Sequence, residues 1–141
     1  MNDNTAPVAT QEPDWHTAPD LNEKWKFRFG FFEKYGVAGV QATPEARAAV
    51  KQMSFGNRIK INVNFYAFFF GCIYFAFFLK LWRQALILIA IALVYAIITV
   101  ILNVPDGADR AFGLVYSLFC ATRANWLYYL KRTQGDIGWK I

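Results

Sequence analysis

The chain has 141 residues, which is the length of about one domain, but its composition departs from that of a soluble domain. It is 56% hydrophobic and only 18% charged, whereas soluble domains carry roughly 25% charged residues. The formal net charge is +5, and most of the basic residues flank apolar stretches, which indicates membrane topology and not nucleic-acid binding. Two cysteines and one histidine exclude a disulfide scaffold and a multi-histidine metal site.

Residues 1–20 are expected to form a disordered acidic tail. They contain four carboxylates, three prolines and neither lysine nor arginine, and they hold few apolar side chains. Such a composition cannot repay the entropy of ordering the chain. The segment has no basic region followed by an apolar run, so it is not expected to be a cleaved signal peptide. His16 is accordingly expected to be a solvated histidine with no site role.

Residues 21–60 are expected to form short amphipathic helices on the cytoplasmic side. Residues 21–36 carry aromatic side chains at helical spacing, with lysines and an arginine between them. Thr43 as N-cap and Pro44 at the first helical position predict the start of a second helix. The aromatic residues around Trp25 are expected either to rest on an anionic membrane surface or to pack on the protein's own helices.

Residues 61–132 are expected to form a membrane domain, because they contain three long apolar stretches. A bilayer core of about 30 Å requires about 20 helical residues. Residues 85–104 meet that length without a charge, and residues 111–130 reach it if Arg123 is accommodated. Both are predicted to span. The remaining stretch, 61–79, has 19 uncharged residues and is long enough either to span or to enter and return.

The distribution of basic residues distinguishes these two arrangements of residues 61–79. A third span would place five basic residues on each side of the membrane. A re-entrant hairpin turning near Gly71 leaves only Arg110 on one side, and the other side then holds nine: Arg47, Lys51, Arg58, Lys60, Lys80, Arg83, Lys131, Arg132 and Lys140. Because cytoplasmic loops carry the basic excess, we favour the hairpin, with a third span as the alternative. Both termini, including the short tail 133–141, are then expected to be cytoplasmic.

Three sequence blocks resemble one known family. They are WKFRF at 25–29, AFFFG at 67–71 and ANWLYY at 124–129. On these blocks, about residues 22–132 resemble the bacterial inner-membrane proteins grouped as domain of unknown function 2628. Family members usually have proline after the glycine, where this chain has Cys72. The resemblance implies an all-α, multi-pass integral membrane protein of the bacterial inner membrane, and it implies no particular activity.

Polar and aromatic side chains near the cytoplasmic ends of the apolar stretches are the candidate contact residues. An arginine inside a span costs at least ~2.5 kcal/mol unless it is paired or solvated, so Arg123 is expected to reach lipid phosphate or Asn62 and Asn64. The candidates for lipid-headgroup or interhelical polar contacts are Arg123, Asn62, Asn64 and Asn125. The predicted interfacial anchors are Trp25, Trp82, Trp126, Tyr128 and Tyr129.

The residue pattern predicts an interaction protein and not an enzyme. No Asp, Glu or His occurs between residues 46 and 105, and no phosphate-binding loop or metal-ligand spacing is present in the sequence. No catalytic, cofactor-binding or metal-binding residue is therefore assigned. The expected function is contact with the lipid bilayer, in particular anionic lipid, and with an unknown membrane protein or a second copy of the chain. The alternative is a subunit of an oligomeric transporter or channel.

Overall fold

The structure is a computed structural model that describes residues 15–141; the first fourteen residues of the predicted tail lie outside the described residues. Residues 15–141 are helical and contain no strand, which confirms the all-α prediction. The helices are α1 (Glu23–Tyr35), α2 (Pro44–Gln52), α3 (Phe55–Asn62), α4 (Phe65–Ile73), α5 (Trp82–Leu102) and α6 (Asp106–Gln134). A short 3₁₀ turn, Gly39–Gln41, precedes α2, and a π-helical segment, Tyr74–Phe78, follows α4.

Helices α1 and α2 form where the sequence predicts them, because their ends carry local signals. The Asn22 side chain caps α1, and Gly36 ends it with φ +75°. The Thr43 hydroxyl accepts a hydrogen bond from the N–H of Ala46 at 3.2 Å, and Pro44 is the first residue of α2. The sequence did not predict α3 as a separate helix. It crosses the boundary expected after residue 60 between the cytoplasmic helices and the membrane domain.

The apolar stretch 61–79 contains a helical hairpin. Gly71 has φ +45° and ψ −125°, so α4 is broken there and the chain turns back. The rings of Tyr66 and Tyr74 stack with their centroids 5.9 Å apart, whereas eight residues along a straight helix would separate them by about 12 Å. The Nδ2 of Asn64 also reaches the Tyr74 hydroxyl at 3.4 Å. The fold-back predicted near Gly71 is therefore present in the structure.

The hairpin packs between α5 and α6. Small buried residues, Ala67, Cys120 and Ala124 among them, line this contact and allow the helices to approach closely. At the hairpin tip, a Cβ added to Gly71 would lie 3.7 Å from the ring of Tyr116, whose hydroxyl donates to the Leu88 carbonyl at 3.1 Å. Leu88 lies six residues into α5, so the tip reaches about 9 Å along that helix.

Beyond the hairpin, α5 and α6 form an exposed pair. The Tyr95 and Phe112 rings stack with centroids 3.5 Å apart, and the Tyr95 hydroxyl donates to Asp109 at 2.9 Å. Large apolar side chains face outwards on this part: Ile89, Ile91, Leu93, Val94, Ile97, Ile98, Val100, Ile101, Leu102, Leu114, Val115 and Leu118. We call this part of the two helices the distal half.

By length and composition, two segments are apolar enough to cross a membrane: Phe55–Phe78 and Trp82–Leu102. The first is not a single straight helix, because Asn64 has an extended backbone and Gly71 reverses the chain. Helix α5 is therefore the one uninterrupted apolar helix of that length among the described residues. Helix α6 is longer, at 29 residues, and carries more charge. The predicted spans 85–104 and 111–130 lie largely within α5 and α6.

The predicted tail boundary at residue 20 is wrong for its last part. Trp15 is only 7% exposed and packs against Phe29. The Asp20 carboxylate accepts two hydrogen bonds from Arg132, at 2.6 and 3.0 Å. Residues 15–20 are therefore part of the packed structure, because partners distant in sequence hold them.

Candidate functional site

The end of the bundle opposite the distal half gathers nearly all of the basic residues. Helices α1, α2 and α3 pack around the C-terminal part of α6, and the hairpin base and the C-terminal segment 135–141 adjoin them. The exposed basic side chains at this end are Lys24, Lys34, Arg47, Lys51, Arg58, Lys60, Lys80 and Lys140. Arg110, in the second turn of α6, lies at the other end beside Asp106 and Asp109. We call the end of the bundle opposite the distal half the basic end.

A buried amide pair fixes α6 to the junction of α3 and α4. Asn125 donates to the Ile61 carbonyl at 3.0 Å, and its own oxygen accepts from Asn64 at 3.1 Å. The Asn64 oxygen in turn accepts from the N–H groups of Tyr66 and Ala67 and so caps α4. Both amides are at most 1% exposed. Two of the sequence candidates, Asn64 and Asn125, thus form a polar contact between helices.

Arg28, which was not a sequence candidate, fixes α1 to the same junction. Its guanidinium donates to the carbonyl of Lys60 at 2.6 Å and to that of Val63 at 3.4 Å, and it lies 4.5 Å from the Trp25 ring centroid. Burial lowers the pKa of Arg28 to about 10, so the group stays charged at neutral pH. Its sequence signal was its position among the aromatic residues of α1, which is also typical of a solvated arginine.

Arg123 and Asn62 have other partners than those expected. Arg123 donates to the side-chain oxygen of Gln41 at 2.8 Å. Asn62 donates to the Arg58 carbonyl within its own helix at 2.9 Å. Of the two anchors expected for Arg123, the asparagines Asn62 and Asn64 are therefore not its partners, and lipid phosphate stays a prediction. The turn before α2 supplies the partner, which no local pattern in the sequence indicates.

Four of the predicted interfacial anchors hold α1 on α6. The rings of Trp25 and Tyr128 lie 4.7 Å apart, and Phe32 lies 5.5 Å from Trp126 and 5.6 Å from Tyr129. These separations fall in the usual range for favourable aromatic pairs. Of the two alternatives for the aromatic residues of α1, the structure shows packing on the protein's own helices.

A cleft of about 310 Å³ opens at the basic end, between the hairpin base, the start of α5 and the segment after α6. Its lining residues are Lys80, Leu81, Trp82, Arg83, Gln84, Lys131, Gly135, Asp136, Ile137 and Gly138. Lys131 donates its ammonium hydrogens to the carbonyls of Leu79 and Lys80 and so joins α6 to the hairpin base. We call this feature the basic cleft.

The wall of the basic cleft is held by polar contacts to the C-terminal segment. Gln84 is 2% exposed and donates to the carbonyls of Gly138 and Lys140, both at 2.9 Å. Arg83 donates to both carboxylate oxygens of Asp136, at 3.0 and 2.9 Å. The Gly138 N–H and Arg83 hold the pKa of Asp136 below its usual value. The carboxylate is therefore ionised at neutral pH.

Two exposed tryptophans flank the cleft. Trp82 is 56% exposed and Trp139 is 60% exposed, and their ring centroids lie 6.4 Å apart. The guanidinium of Arg83 lies within 6 Å of both rings. Of the predicted interfacial anchors, Trp82 is the one whose ring remains open to the surroundings. Trp139 was not among the sequence candidates.

The basic end combines exposed basic side chains with exposed aromatic rings. Among the described residues, no group of three or more His, Cys, Asp and Glu side chains is placed to hold a metal ion. The cleft offers ammonium and guanidinium donors beside exposed indole rings. Such groups bind phosphate or carboxylate at a boundary between water and an apolar phase.

Comparison with known proteins identifies the family and no activity. A family model described as "Protein of unknown function (DUF2628)" matches residues 9–133. The uncharacterised protein YigF of Salmonella typhimurium is 33% identical over 131 residues, which are 92% of this chain and 99% of the relative. YigF of Escherichia coli K12 is 33% identical over 122 residues, 86% of this chain and 92% of the relative. No solved structure matches. The chain therefore belongs to the DUF2628 family of proteins of unknown function.

Proposed function

We propose that the chain is a small integral protein of the bacterial inner membrane that contacts anionic lipid and protein partners through its basic end. In this proposal α5 and α6 span the bilayer, and the hairpin enters from the cytoplasmic side and returns to it. The observation that carries the proposal is the contrast between the two ends of the same helix pair. The distal half is apolar and exposed, whereas the other end is basic.

The exposure of α5 supports its insertion in a bilayer. Only 11% of the most apolar 18-residue stretch of α5 is buried within the protein, whereas the core helix of a soluble domain is mostly buried. Its 21 residues extend about 31 Å, which matches a bilayer core of about 30 Å. Each large apolar side chain exposed to water lacks about 1.5–3 kcal/mol of the free energy gained when it is buried. Contact with lipid tails also removes the side chain from water, so this free energy is recovered in a bilayer.

The charges support an orientation with the basic end in the cytoplasm. Arg110 is the one basic residue at the distal end of the described chain, and the rest lie near the hairpin base, α1–α3 and the C-terminal segment. The positive-inside rule therefore orients that end towards the cytoplasm. The turn at Gly71 is half-buried and lies against Tyr116, which provides part of the enclosure by protein that non-helical backbone at membrane depth requires.

The proposed role is contact and not chemistry. The distal half exposes many large apolar side chains, which match lipid tails. The alternative is a subunit of an oligomeric transporter or channel. The polar groups concentrate at the basic end, where they meet the headgroup layer and soluble segments of a partner.

Cysteine labelling tests the topology. Asp109→Cys, Lys80→Cys and Gln134→Cys are made singly in a chain whose Cys72 and Cys120 are replaced by alanine. We expect a membrane-impermeant maleimide to label only the position 109 variant in spheroplasts, and all three after permeabilisation. Labelling at position 80 from outside would establish the three-span arrangement. Release of the chain from membranes by alkaline carbonate would refute membrane insertion.

A further inference from the structure

We infer that the basic cleft binds the phosphate-bearing headgroup of an anionic phospholipid. This inference rests on the proposed function, since the cleft faces the headgroup layer only if α5 spans the membrane. The observations that support it are the charge of the cleft, its level in the bundle, the adjoining apolar surface and the rigidity of its wall.

The charge of the cleft is incompletely balanced. Arg83 is paired with Asp136, the one acidic residue of the lining. Lys80 and Lys131 then remain without a carboxylate of their own in the cleft. Lys131 directs its ammonium group at the carbonyl oxygens of Leu79 and Lys80. An anion between these two ammonium groups would relieve their mutual repulsion and accept hydrogen bonds from both.

The level of the cleft corresponds to the headgroup layer. Trp82 is the first residue of α5, so its ring marks the point at which that helix enters the apolar core. Trp139 pairs with it on the C-terminal segment. Tryptophan is enriched at the boundary between headgroups and acyl chains. Basic pockets between membrane helices on the cytoplasmic side are known positions for anionic headgroups.

An apolar surface next to the cleft favours a lipid over a free phosphate ion. Phe77 and Phe78 precede Lys80 by three and two residues, and they are 76% and 71% exposed. They lie on the π-helical segment that leads from the hairpin to the cleft. A headgroup in the cleft would place its acyl chains within reach of these rings. A free phosphate would make no use of them.

The wall of the cleft is held in place by the protein's own contacts. Gln84 and the Arg83–Asp136 pair hold the C-terminal segment against the start of α5. Gly138 closes the turn with φ +61°, and its N–H donates to Asp136 at 2.8 Å. A preorganised wall reduces the entropy lost on binding. The volume of about 310 Å³ is at the lower end of the range for small-molecule sites.

Binding of short-chain lipids to the purified full chain in a neutral detergent tests the inference. Dioctanoyl phosphatidylglycerol and zwitterionic dioctanoyl phosphatidylcholine are titrated, and tryptophan fluorescence is followed. We expect the anionic phosphatidylglycerol to bind more tightly than the zwitterionic phosphatidylcholine. We expect Lys80→Gln to weaken it about five-fold, since one basic residue near an anionic surface contributes about 1 kcal/mol. Lys80→Arg should retain binding.

The matched control is Arg110→Gln, which removes the same charge from an exposed basic residue at the distal end, away from the basic end and the cleft. It should leave binding unchanged. Equal weakening by Arg110→Gln and Lys80→Gln, or equal affinity for the two lipids, would overturn the inference. Glycerol 3-phosphate or inorganic phosphate binding as tightly as the lipid would also overturn it, because the ligand would then be a free phosphate. If the labelling experiment shows the proposed topology while lipid selectivity is absent, the inference about the cleft fails and the proposed membrane topology stands.

Discussion

The amide of Asn125 is predicted to be a major determinant of stability, although it lies near the end of a long helix. Truncation to alanine removes the donor to the Ile61 carbonyl and the acceptor for the Asn64 amide. Ile61 and Asn64 are each 1% exposed, so water cannot replace the lost partner. The affected contacts join α6 to the point at which α3 ends and the hairpin begins.

The magnitude follows from these two contacts. A buried polar group left without a partner costs about 1–3 kcal/mol. Asn125→Ala leaves the Ile61 carbonyl without its donor, whereas the Asn64 amide keeps its 3.4 Å contact with the Tyr74 hydroxyl, so the fold should be destabilised by about 1–3 kcal/mol before any cavity is counted. Asn62→Ala is the matched control, since its amide donates only to an exposed carbonyl in the same helix. Water replaces that bond, so the loss should be about 0.5–1 kcal/mol or less.

Thermal unfolding of the purified variants in detergent, followed by tryptophan fluorescence, measures the difference. We expect the melting temperature to fall several times further for Asn125→Ala than for Asn62→Ala. Asn125→Leu, which keeps a similar volume without hydrogen bonds, should behave like the alanine variant. Equal, small shifts for the Asn125 and Asn62 variants would refute the reasoning, because the amide pair would then contribute no more than a surface hydrogen bond.

Three further predictions concern the turn, the C-terminal segment and the N-terminal contact. Gly71→Ala should lower the melting temperature, because φ +45° imposes about 1–3 kcal/mol of strain on any other residue. Its control, Gly113→Ala in α6, should raise the melting temperature, because alanine favours the helix and open space surrounds this position. Gln84→Leu should accelerate hydrogen exchange in the C-terminal segment, since the carbonyls that hold it lose their donor; unchanged exchange would contradict this assignment. A side-chain hydrogen bond to an arginine holds the pKa of Asp20 below its usual value of 3.8, so this carboxylate stabilises the fold above that pH. Asp20→Asn should therefore lower the melting temperature slightly at neutral pH, and the difference should disappear as the pH falls below about 3.8.

The family model and the similarity to YigF confirm the membership that three short blocks indicated. The hairpin is a feature that the sequence pattern predicted in part. The charge count favoured a fold-back, and Gly71 offered a turn within an otherwise continuous apolar run. Family members usually have proline at the next position, whereas this chain has Cys72. The positive φ of Gly71 breaks the helix without that proline, since glycine adopts this conformation without steric cost.

The sequence by itself determined the features that depend on neighbouring residues. Thr43 and Pro44 set the start of α2, Gly36 set the end of α1, and the uncharged stretch after Arg83 set α5. The capping residues act within about one helical turn, and the uncharged stretch is a property of one helix. They can therefore be interpreted without knowing the fold.

The tertiary structure alone decided which distant groups meet. Arg28 reaches the carbonyl of Lys60, and Arg123 reaches Gln41, which is 82 positions away in the sequence. Gln84 holds a segment more than 50 residues further along the chain. These contacts depend on how α1 and the C-terminal segment pack against α5 and α6, and that packing is set by apolar burial over the whole molecule. A polar side chain is committed to one partner only after burial has removed water as an alternative.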